Sequence, residues 1–238
     1  MDCTDKTTRM DCMDKHTETT EKVPKKWSYL VGLTVILASE FLLRDVFLSK
    51  NPSASQVTLA VLIEWLVFVF LLAFWIPRVE GNDLHSIGIW SLKWKYLWLG
   101  VLVYFALFII SIGSEFVLTT VGLTGLSSLQ PLLRQYSFPL LLSLFFTGTV
   151  LEEVFYRGYL IERITSLTGK TWLAGIISWI AFTSVHGKFF GLGPTLEAGV
   201  FAAGLVLVYL RERSIWPCMV VHGLNDAFAY LIAPLLLL

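Results

Sequence analysis

The chain has 238 residues, of which 55% are hydrophobic and only 15% are charged. A soluble globular domain carries about a quarter charged residues, so this composition excludes an ordinary soluble domain. Lys plus Arg equals Asp plus Glu, and a formal net charge of zero gives no electrostatic case for nucleic-acid binding. The odd number of cysteines (Cys3, Cys12 and Cys218) predicts neither a disulfide framework nor a CxxC metal site.

Residues 1–26 are polar and mixed in charge, which predicts a disordered tail. They do not form a signal peptide, because the apolar run that follows begins too late and extends too far. The apolar stretches beyond the tail predict an all-α, polytopic membrane helical bundle of about seven transmembrane helices. The predicted spans are residues 27–48, 57–76, 96–121, 137–164, 172–187, 194–210 and 215–238.

The segments between the spans are marked by proline, glycine and charge. Pro77 is expected to stop the second helix, with a polar loop over residues 78–95. Residues 122–136, rich in Gly, Ser and Pro, predict a loop with a short interfacial helix. Pro194 is expected at the first position of the sixth helix, where proline is well tolerated. The first three helices and their loops would then occupy residues 27–136, and a core of about four helices residues 137–238.

Basic residues are distributed unequally between the two sets of loops, which predicts the orientation in the membrane. The tail and the loops on its side hold Lys22, Lys25, Lys26, Arg78, Lys93, Lys95, Arg163, Lys170, Arg211 and Arg213. The opposite loops hold Lys50, Arg134 and Lys188. The N-terminus is therefore predicted in the cytoplasm and the C-terminus outside.

Two adjacent carboxylates and an arginine, Glu152, Glu153 and Arg157, follow an uncharged run in the fourth span. Ionisable groups at membrane depth are costly and indicate function. Glu153 and Arg157 are four residues apart, so they share a helical face and can pair. Glu152 lies about 100° away around the helix and is expected to serve as a general base. The alternative is that Glu153 and Arg157 form only a structural ion pair with no role in chemistry.

Two histidines lie in the later spans, His186 in the fifth and His222 in the seventh. Imidazole can accept a proton, donate to an oxyanion or bind a metal. Asp226 and Asn225 follow His222 by about one helical turn and lie beside it. A single membrane histidine such as His186 is as often a core residue as a site residue. Further intramembrane acids, each structural or part of a proton relay, are Glu40 (four residues before Arg44), Glu64 and Glu115.

The three groups have the form EExxxR, FxxxH and HxxxN/D, in that order along the chain. In this the sequence resembles the CAAX protease and bacteriocin-processing family, also called Abi or type II CAAX prenyl endopeptidases. Residues 152–157 match the first motif and residues 182–186 the second. Residues 222–226 match the third, with Asp226 where the family more often has asparagine. The resemblance covers residues 137–230, and the first three spans resemble nothing assignable.

The resemblance implies a cofactor-independent intramembrane endopeptidase that cleaves a membrane-associated protein or peptide. It implies that Glu152 and His186 activate a water molecule, that His222 and Asp226 stabilise the oxyanion, and that Glu153 and Arg157 orient the site. An ionised aspartate can only accept hydrogen bonds. Asp226 is therefore expected to orient His222, with Asn225 as an alternative donor.

Other functions remain open at this point. Zinc could be held by Glu152, His186 and His222, since two histidines and a carboxylate form several catalytic zinc sites. The chain lacks HExxH, and the resemblance favours the metal-free site. A non-catalytic membrane interaction or immunity protein would keep the same helices. A proton-coupled transporter using Glu40, Glu64, Glu115 and Glu152 would be expected to show an internal repeat, and none is visible.

Overall fold

The computed structural model describes residues 26–43 and 52–236, and this part of the chain is helical with no strand. The all-α prediction is therefore confirmed. Most of the predicted tail and Arg44, the expected partner of Glu40, lie outside the described residues.

The described residues form the helices labelled α1 to α7. They are α1 (Lys26–Ala38, continued by a π-helical turn, Ser39–Leu43), α2 (Ala54–Glu80), α3 (Trp94–Thr120), α4 (Phe138–Thr168), α5 (Thr171–Phe190), α6 (Leu192–Glu212) and α7 (Ile215–Asp226, continued by Ala227–Ile232 and Ala233–Leu236). Short helical turns lie between them at Leu84–Ile87, Leu126–Leu129 and Gln130–Leu133. Pro194 lies in the first turn of α6 and not at its first residue, because the helix already begins at Leu192.

Helices α2, α3, α4 and α6 are long and apolar enough to cross a membrane. The prediction of an integral membrane protein is thus supported, while the count of seven spans is not confirmed. The exposed surface of α3 carries large apolar side chains: Leu102, Ile109 and Phe116 are 67%, 68% and 70% exposed. A soluble monomer rarely exposes such a continuous apolar face, whereas lipid covers it without cost.

Two helices contain long π-helical segments, Leu71–Glu80 in α2 and Thr147–Leu160 in α4. The segment in α4 carries the complete Glu-Glu-Arg motif. π-Helical turns are rare and occur frequently at functional sites, because they change the direction in which side chains project. The angular spacing expected from an ordinary α-helix therefore does not apply to Glu152 and its neighbours.

The prediction that Pro77 stops the second helix is wrong, since α2 continues through it to Glu80. Proline is tolerated within membrane helices where π-helical adjustment and side chains satisfy the backbone groups that it leaves unpaired. The carbonyl of Ala73, four residues before Pro77, accepts a hydrogen bond from Arg78 Nη1. The helix ends instead at Gly81, whose φ of 71° suits a residue without a Cβ.

Helix α4 is the centre of the bundle. Its residues Phe155, Tyr159 and Ile161 are fully buried, and it packs against α5 and α7. Helix α3 lies against α7, where a Cβ on Gly100 would come 2.5 Å from Val220 Cβ. Glycine is therefore required for this close approach of two helices.

A buried ion-pair network joins α2 to the far end of α4. Arg163, counted with the loop cations in the prediction of orientation, lies in α4 at 1% exposure and donates from Nε to Glu80 Oε2 at 2.8 Å. Tyr159 donates to the other oxygen of the same carboxylate, and Arg163 Nη2 donates to Ser86 Oγ at 2.9 Å. The contacts fix the 81–93 loop against the bundle.

Two acids hold the loop before α4. Glu115 of α3 accepts hydrogen bonds from the backbone of Gly125 and the hydroxyl of Ser127, at 3.2 and 2.7 Å. Glu197 of α6 accepts from the backbone of Leu126 at 2.8 Å. Glu115 thus has a structural role in holding this loop, which weakens its assignment to a proton path.

Candidate active site

The three motifs meet where α4 and α7 cross. Glu153 and Arg157 are fully buried, and Arg157 Nη1 donates to Glu153 Oε1 at 2.9 Å. His222 lies 2.7 Å from the same oxygen through its Nδ1. A carboxylate oxygen accepts, so Nδ1 of His222 carries the proton and donates it. The structure therefore contains the expected Glu153–Arg157 pair and adds His222 to it.

Phe182 of α5 lies at the centre of this group of side chains. Arg157 Cζ is 4.4 Å from the ring centroid, which places the guanidinium over the aromatic face. The His186 ring is stacked with Phe182 at 4.4 Å, and His222 meets it edge-on at 6.2 Å. A cation over a desolvated aromatic face is attracted by about 2 kcal/mol, which offsets part of the cost of burying Arg157.

His186 is oriented by its own helix. Its Nδ1 lies 3.0 Å from the backbone carbonyl of Phe182. Because a carbonyl can only accept, Nδ1 carries a proton, and in a neutral ring of this tautomer Nε2 is the acceptor. This is the tautomer that binding or activating a water molecule requires.

Asp226 approaches His222 from the opposite side. Its Oδ1 lies 3.6 Å from His222 Nε2, within ion-pair range but too long for a hydrogen bond. Asn225 Nδ2 is 3.5 Å from the same oxygen. The hydrogen bond that orients His222 is therefore the one that its Nδ1 donates to Glu153, and an orienting role for Asp226 stays a prediction.

Gly148, one turn before Glu152 in α4, allows Asp226 to lie against the helix backbone. A Cβ at this position would come 2.2 Å from Asp226 Oδ2 and 3.6 Å from His222 Nε2. Gly223 faces Thr149 at the same crossing, where an added Cβ would meet Thr149 Cγ2 at 3.0 Å. Small residues on both helices thus bring the first and third motifs together.

Glu152 differs from Glu153 in its exposure. It is half-buried, whereas Glu153 is completely enclosed. It lies close enough to His222 and Asp226 for an electrostatic interaction with each. The more accessible carboxylate of the pair is the one that the sequence predicts as a general base.

Within the described part of the chain, no three His, Cys, Asp or Glu side chains are grouped in a way that could hold a metal ion. The alternative zinc set of Glu152, His186 and His222 is therefore not assembled in this conformation.

A cavity of about 500 Å³ lies away from this cluster. It is lined by the 83–90 loop together with Glu162 and Arg213, and by none of the predicted site residues. Its charged groups bond to one another, since Arg213 Nη2 donates to Glu162 Oε2 at 2.5 Å. This cavity is therefore separate from the cluster of motif residues.

Sequence reasoning missed three contributors to the cluster. Phe182 was only a motif letter, Phe201 of α6 lies 5.8 Å from the His222 ring, and Gly148 is the point of closest approach. A glycine one turn before the Glu-Glu pair is a signal that could have been used. The FxxxH motif marks Phe182 without indicating its role, and nothing in the sequence distinguishes Phe201 from other core aromatics.

A helical membrane bundle in which an arginine and two histidines surround one aromatic ring, with a buried glutamate bonded to the arginine and to one of the histidines, has groups suited to acid–base chemistry. Residues 134–228 match the family model described as Type II CAAX prenyl endopeptidase Rce1-like. The resemblance stated from the motifs is therefore confirmed over these residues, which make up less than half of the chain. No curated protein and no solved structure matches the chain. All three motifs lie within the matched residues, and α1 to α3 lie outside them.

Proposed function

We propose that the protein is an intramembrane endopeptidase that hydrolyses a peptide bond with a water molecule activated by Glu152 and His186. The observation that carries the proposal is the convergence of Glu153, Arg157 and His222 with His186 around Phe182, inside the family-matched segment. Burying charged side chains costs free energy, so a cluster of this kind is expected only where it serves a function.

The proposed reaction begins with a water molecule between Glu152 and His186. Nε2 of His186 accepts a hydrogen bond from the water, and Glu152 takes one of its protons as the oxygen attacks the peptide carbonyl carbon. The tetrahedral intermediate then breaks its carbon–nitrogen bond. Glu152 returns the proton to the leaving amine, so the products are a carboxylic acid and a free amino group.

His222 is proposed to stabilise the negative oxygen of this intermediate. With a proton on each ring nitrogen, it donates Nδ1–H to Glu153 and Nε2–H to the oxyanion. Glu153 and Arg157 hold the ring in place from the buried side. Asp226 lies beside Nε2 and Asn225 lies beside Asp226, so either side chain could add a contact to the same oxygen.

The proposed substrate is a membrane-associated protein or peptide. The family's name supports a prenylated C-terminal segment as the first candidate. The half-burial of Glu152 supports access from a cavity within the bundle. In this proposal the N-terminus is cytoplasmic and the C-terminus outside, which reporter fusions at each end would test.

The direct test is cleavage of a defined probe by the full chain reconstituted in proteoliposomes. One probe is an internally quenched peptide with a farnesylated cysteine followed by three residues, and a second is the same peptide without the farnesyl group. Removing a general base costs about 10²- to 10⁴-fold in rate. We therefore expect Glu152→Gln to lose at least about 100-fold on whichever probe the wild type cleaves.

The matched control is Glu162→Gln, an acid on the same helix. Glu162 bonds to Tyr209 and Arg213 at the edge of the separate cavity. It is expected to retain cleavage within a small factor. Equal activity of wild type and Glu152→Gln, or cleavage of neither probe by the wild type, would contradict the proposal for this substrate class and favour a non-catalytic membrane protein.

A further inference from the structure

Helix α1 contributes a buried acid to the centre of the bundle. Glu40, in the π-helical turn Ser39–Leu43, is 1% exposed, and its Oε2 accepts a hydrogen bond from Tyr156 Oη at 3.2 Å. Tyr156 lies next to Arg157 in α4. The contact therefore joins a helix outside the family-matched residues to the motif that carries the charges.

Tyr156 is held on three sides. Its backbone carbonyl accepts from Ser178 Oγ of α5 at 2.8 Å, its hydroxyl bonds to Glu40, and its ring meets Phe182 edge-on at 5.1 Å and 83°. An edge-to-face aromatic contact depends on the orientation of both rings. The position of the Tyr156 ring thus sets that of Phe182.

Phe182 in turn determines where His186 lies. The two rings stack at 4.4 Å, and the Phe182 carbonyl accepts from His186 Nδ1 at 3.0 Å. A ring that rotates out of this stack moves Nε2, the atom proposed to accept from the attacking water. Misplacement of a reacting group by about 1 Å can cost about 100-fold in rate.

We infer that Glu40 is a positioning residue for the site: through the Tyr156 hydroxyl and the Phe182 ring it fixes the orientation of His186. The inference deepens the proposed hydrolytic function and rests on it for its consequence in activity. It also gives α1 a function, because the geometry of the second motif then depends on a helix that the family model does not cover.

A second Tyr–Glu contact on the same helix provides a matched control. Tyr159, three residues after Tyr156, donates to Glu80 in the Arg163 network. Both contacts are buried and join α4 to an earlier helix. Among the described residues, the ring contacts of Phe182 are with Tyr156, His186 and His222, and Tyr159 is not one of them.

The activity test compares Tyr156→Phe with Tyr159→Phe on the quenched probes, in proteoliposomes of the full chain. We expect Tyr156→Phe and Glu40→Leu to lower kcat about ten-fold with KM changed less than about two-fold, because orientation and not binding is lost. Tyr159→Phe should keep kcat. Glu40→Gln retains an acceptor oxygen and should recover most of the activity.

The double variant Tyr156→Phe/Glu40→Leu shows whether the two residues act through one contact. A loss no greater than that of either single variant supports the inference, since residues that share a contact are not additive. Equal kcat values for Tyr156→Phe and Tyr159→Phe would overturn it. If Glu152→Gln also leaves cleavage unchanged, the proposed function itself fails.

A second measurement does not need a substrate. The chain has four histidines, so selective ¹⁵N-histidine labelling gives a simple nitrogen spectrum in detergent, assigned with a His186→Gln variant. Wild-type His186 should show a neutral ring with its proton on Nδ1. Tyr156→Phe and Glu40→Leu should shift the His186 resonances, and Tyr159→Phe should leave them in place. Unchanged His186 resonances in Tyr156→Phe would overturn the inference whatever the activity shows.

Discussion

His222 Nδ1 donates a hydrogen bond of 2.7 Å to Glu153 Oε1, the same oxygen that accepts from Arg157 at 2.9 Å. One carboxylate oxygen therefore joins the first motif in α4 to the third in α7. The contact explains why the second glutamate of the pair is completely buried while the first is only half-buried. Glu153 orients a histidine, and Glu152 remains closer to the accessible part of the site.

Replacement of Glu153 should therefore damage both stability and activity. Glu153→Gln leaves the Arg157 guanidinium buried without its counter-charge and removes the charged acceptor of His222. Breaking a buried ion pair from one side costs about 3–5 kcal/mol. We expect a clear fall in the thermal unfolding temperature in detergent, together with loss of probe cleavage.

A double replacement separates these two effects. In Glu153→Leu/Arg157→Met both charges are removed, and apolar side chains of similar volume can restore stability. Activity should stay lost, because His222 no longer has an acceptor. Recovery of cleavage in the double variant would show that the ion pair serves stability alone.

Much of this organisation could be predicted from the sequence. Apolar runs indicated the helices, and boundaries such as that of α3, expected at 96–121 and found at Trp94–Thr120, agree closely. The ordered motifs indicated the resemblance that is confirmed over residues 134–228, and Glu153, Arg157, His186 and His222 of these motifs lie together. The spacing of the motifs is enough to predict this because a polar side chain in an apolar span costs free energy unless it has a partner. Few helix arrangements give all of these side chains a partner.

The remainder depends on tertiary contacts that spacing does not encode. The π-helical turns of α4 change the faces on which Glu152 and Glu153 project, and the acceptor of His222 lies 69 residues away in the chain. Pro77 was misleading because the Arg78 side chain satisfies the carbonyl that proline leaves unpaired. Glu40 could be flagged as a buried acid, but its partner Tyr156 follows only from the packing of α1 on α4.

Gly148→Ala should impair the site with little loss of stability. The added Cβ would meet Asp226 Oδ2 at 2.2 Å, and the end of a side chain can move away more easily than backbone. We expect Asp226 and His222 to shift and kcat to fall about ten-fold or more, since misplacements of about 1 Å are costly. The measurement is kcat together with the thermal unfolding temperature.

Gly113→Ala in α3 is its control. Nothing lies within 4 Å of the added Cβ, and α3 exposes most of its surface at this point. Alanine is favoured over glycine in a helix interior by about 1 kcal/mol, so this variant should be as stable as wild type or slightly more so, with unchanged kcat. If Gly148→Ala behaves in the same way, the close approach at the helix crossing has no role in the site.

Asp226→Asn distinguishes two functions of the third motif. Because Glu153 already orients His222, the asparagine should keep the ring in place and could donate to the oxyanion from its amide. We expect activity within about three-fold of wild type, or higher, since the lost contact is not a hydrogen bond at 3.6 Å. A loss of about 100-fold or more would show instead that the carboxylate is needed to orient His222. Asp226→Leu, which can neither donate nor accept, should lose activity in both cases.

Exhaustive chelation tests the proposed activation of water by protein groups alone. With Glu152 as base and His186 as acceptor, cleavage of the quenched probe should survive dialysis against a strong zinc chelator. A soluble zinc endopeptidase treated in the same buffer and assayed on its own peptide must lose activity, which shows that chelation was complete.

Activity of the membrane protein that is lost and then restored by added zinc would establish a metal held in another conformation of the site. In that case His186→Gln should also abolish zinc binding, because it removes an imidazole, which is a common zinc ligand.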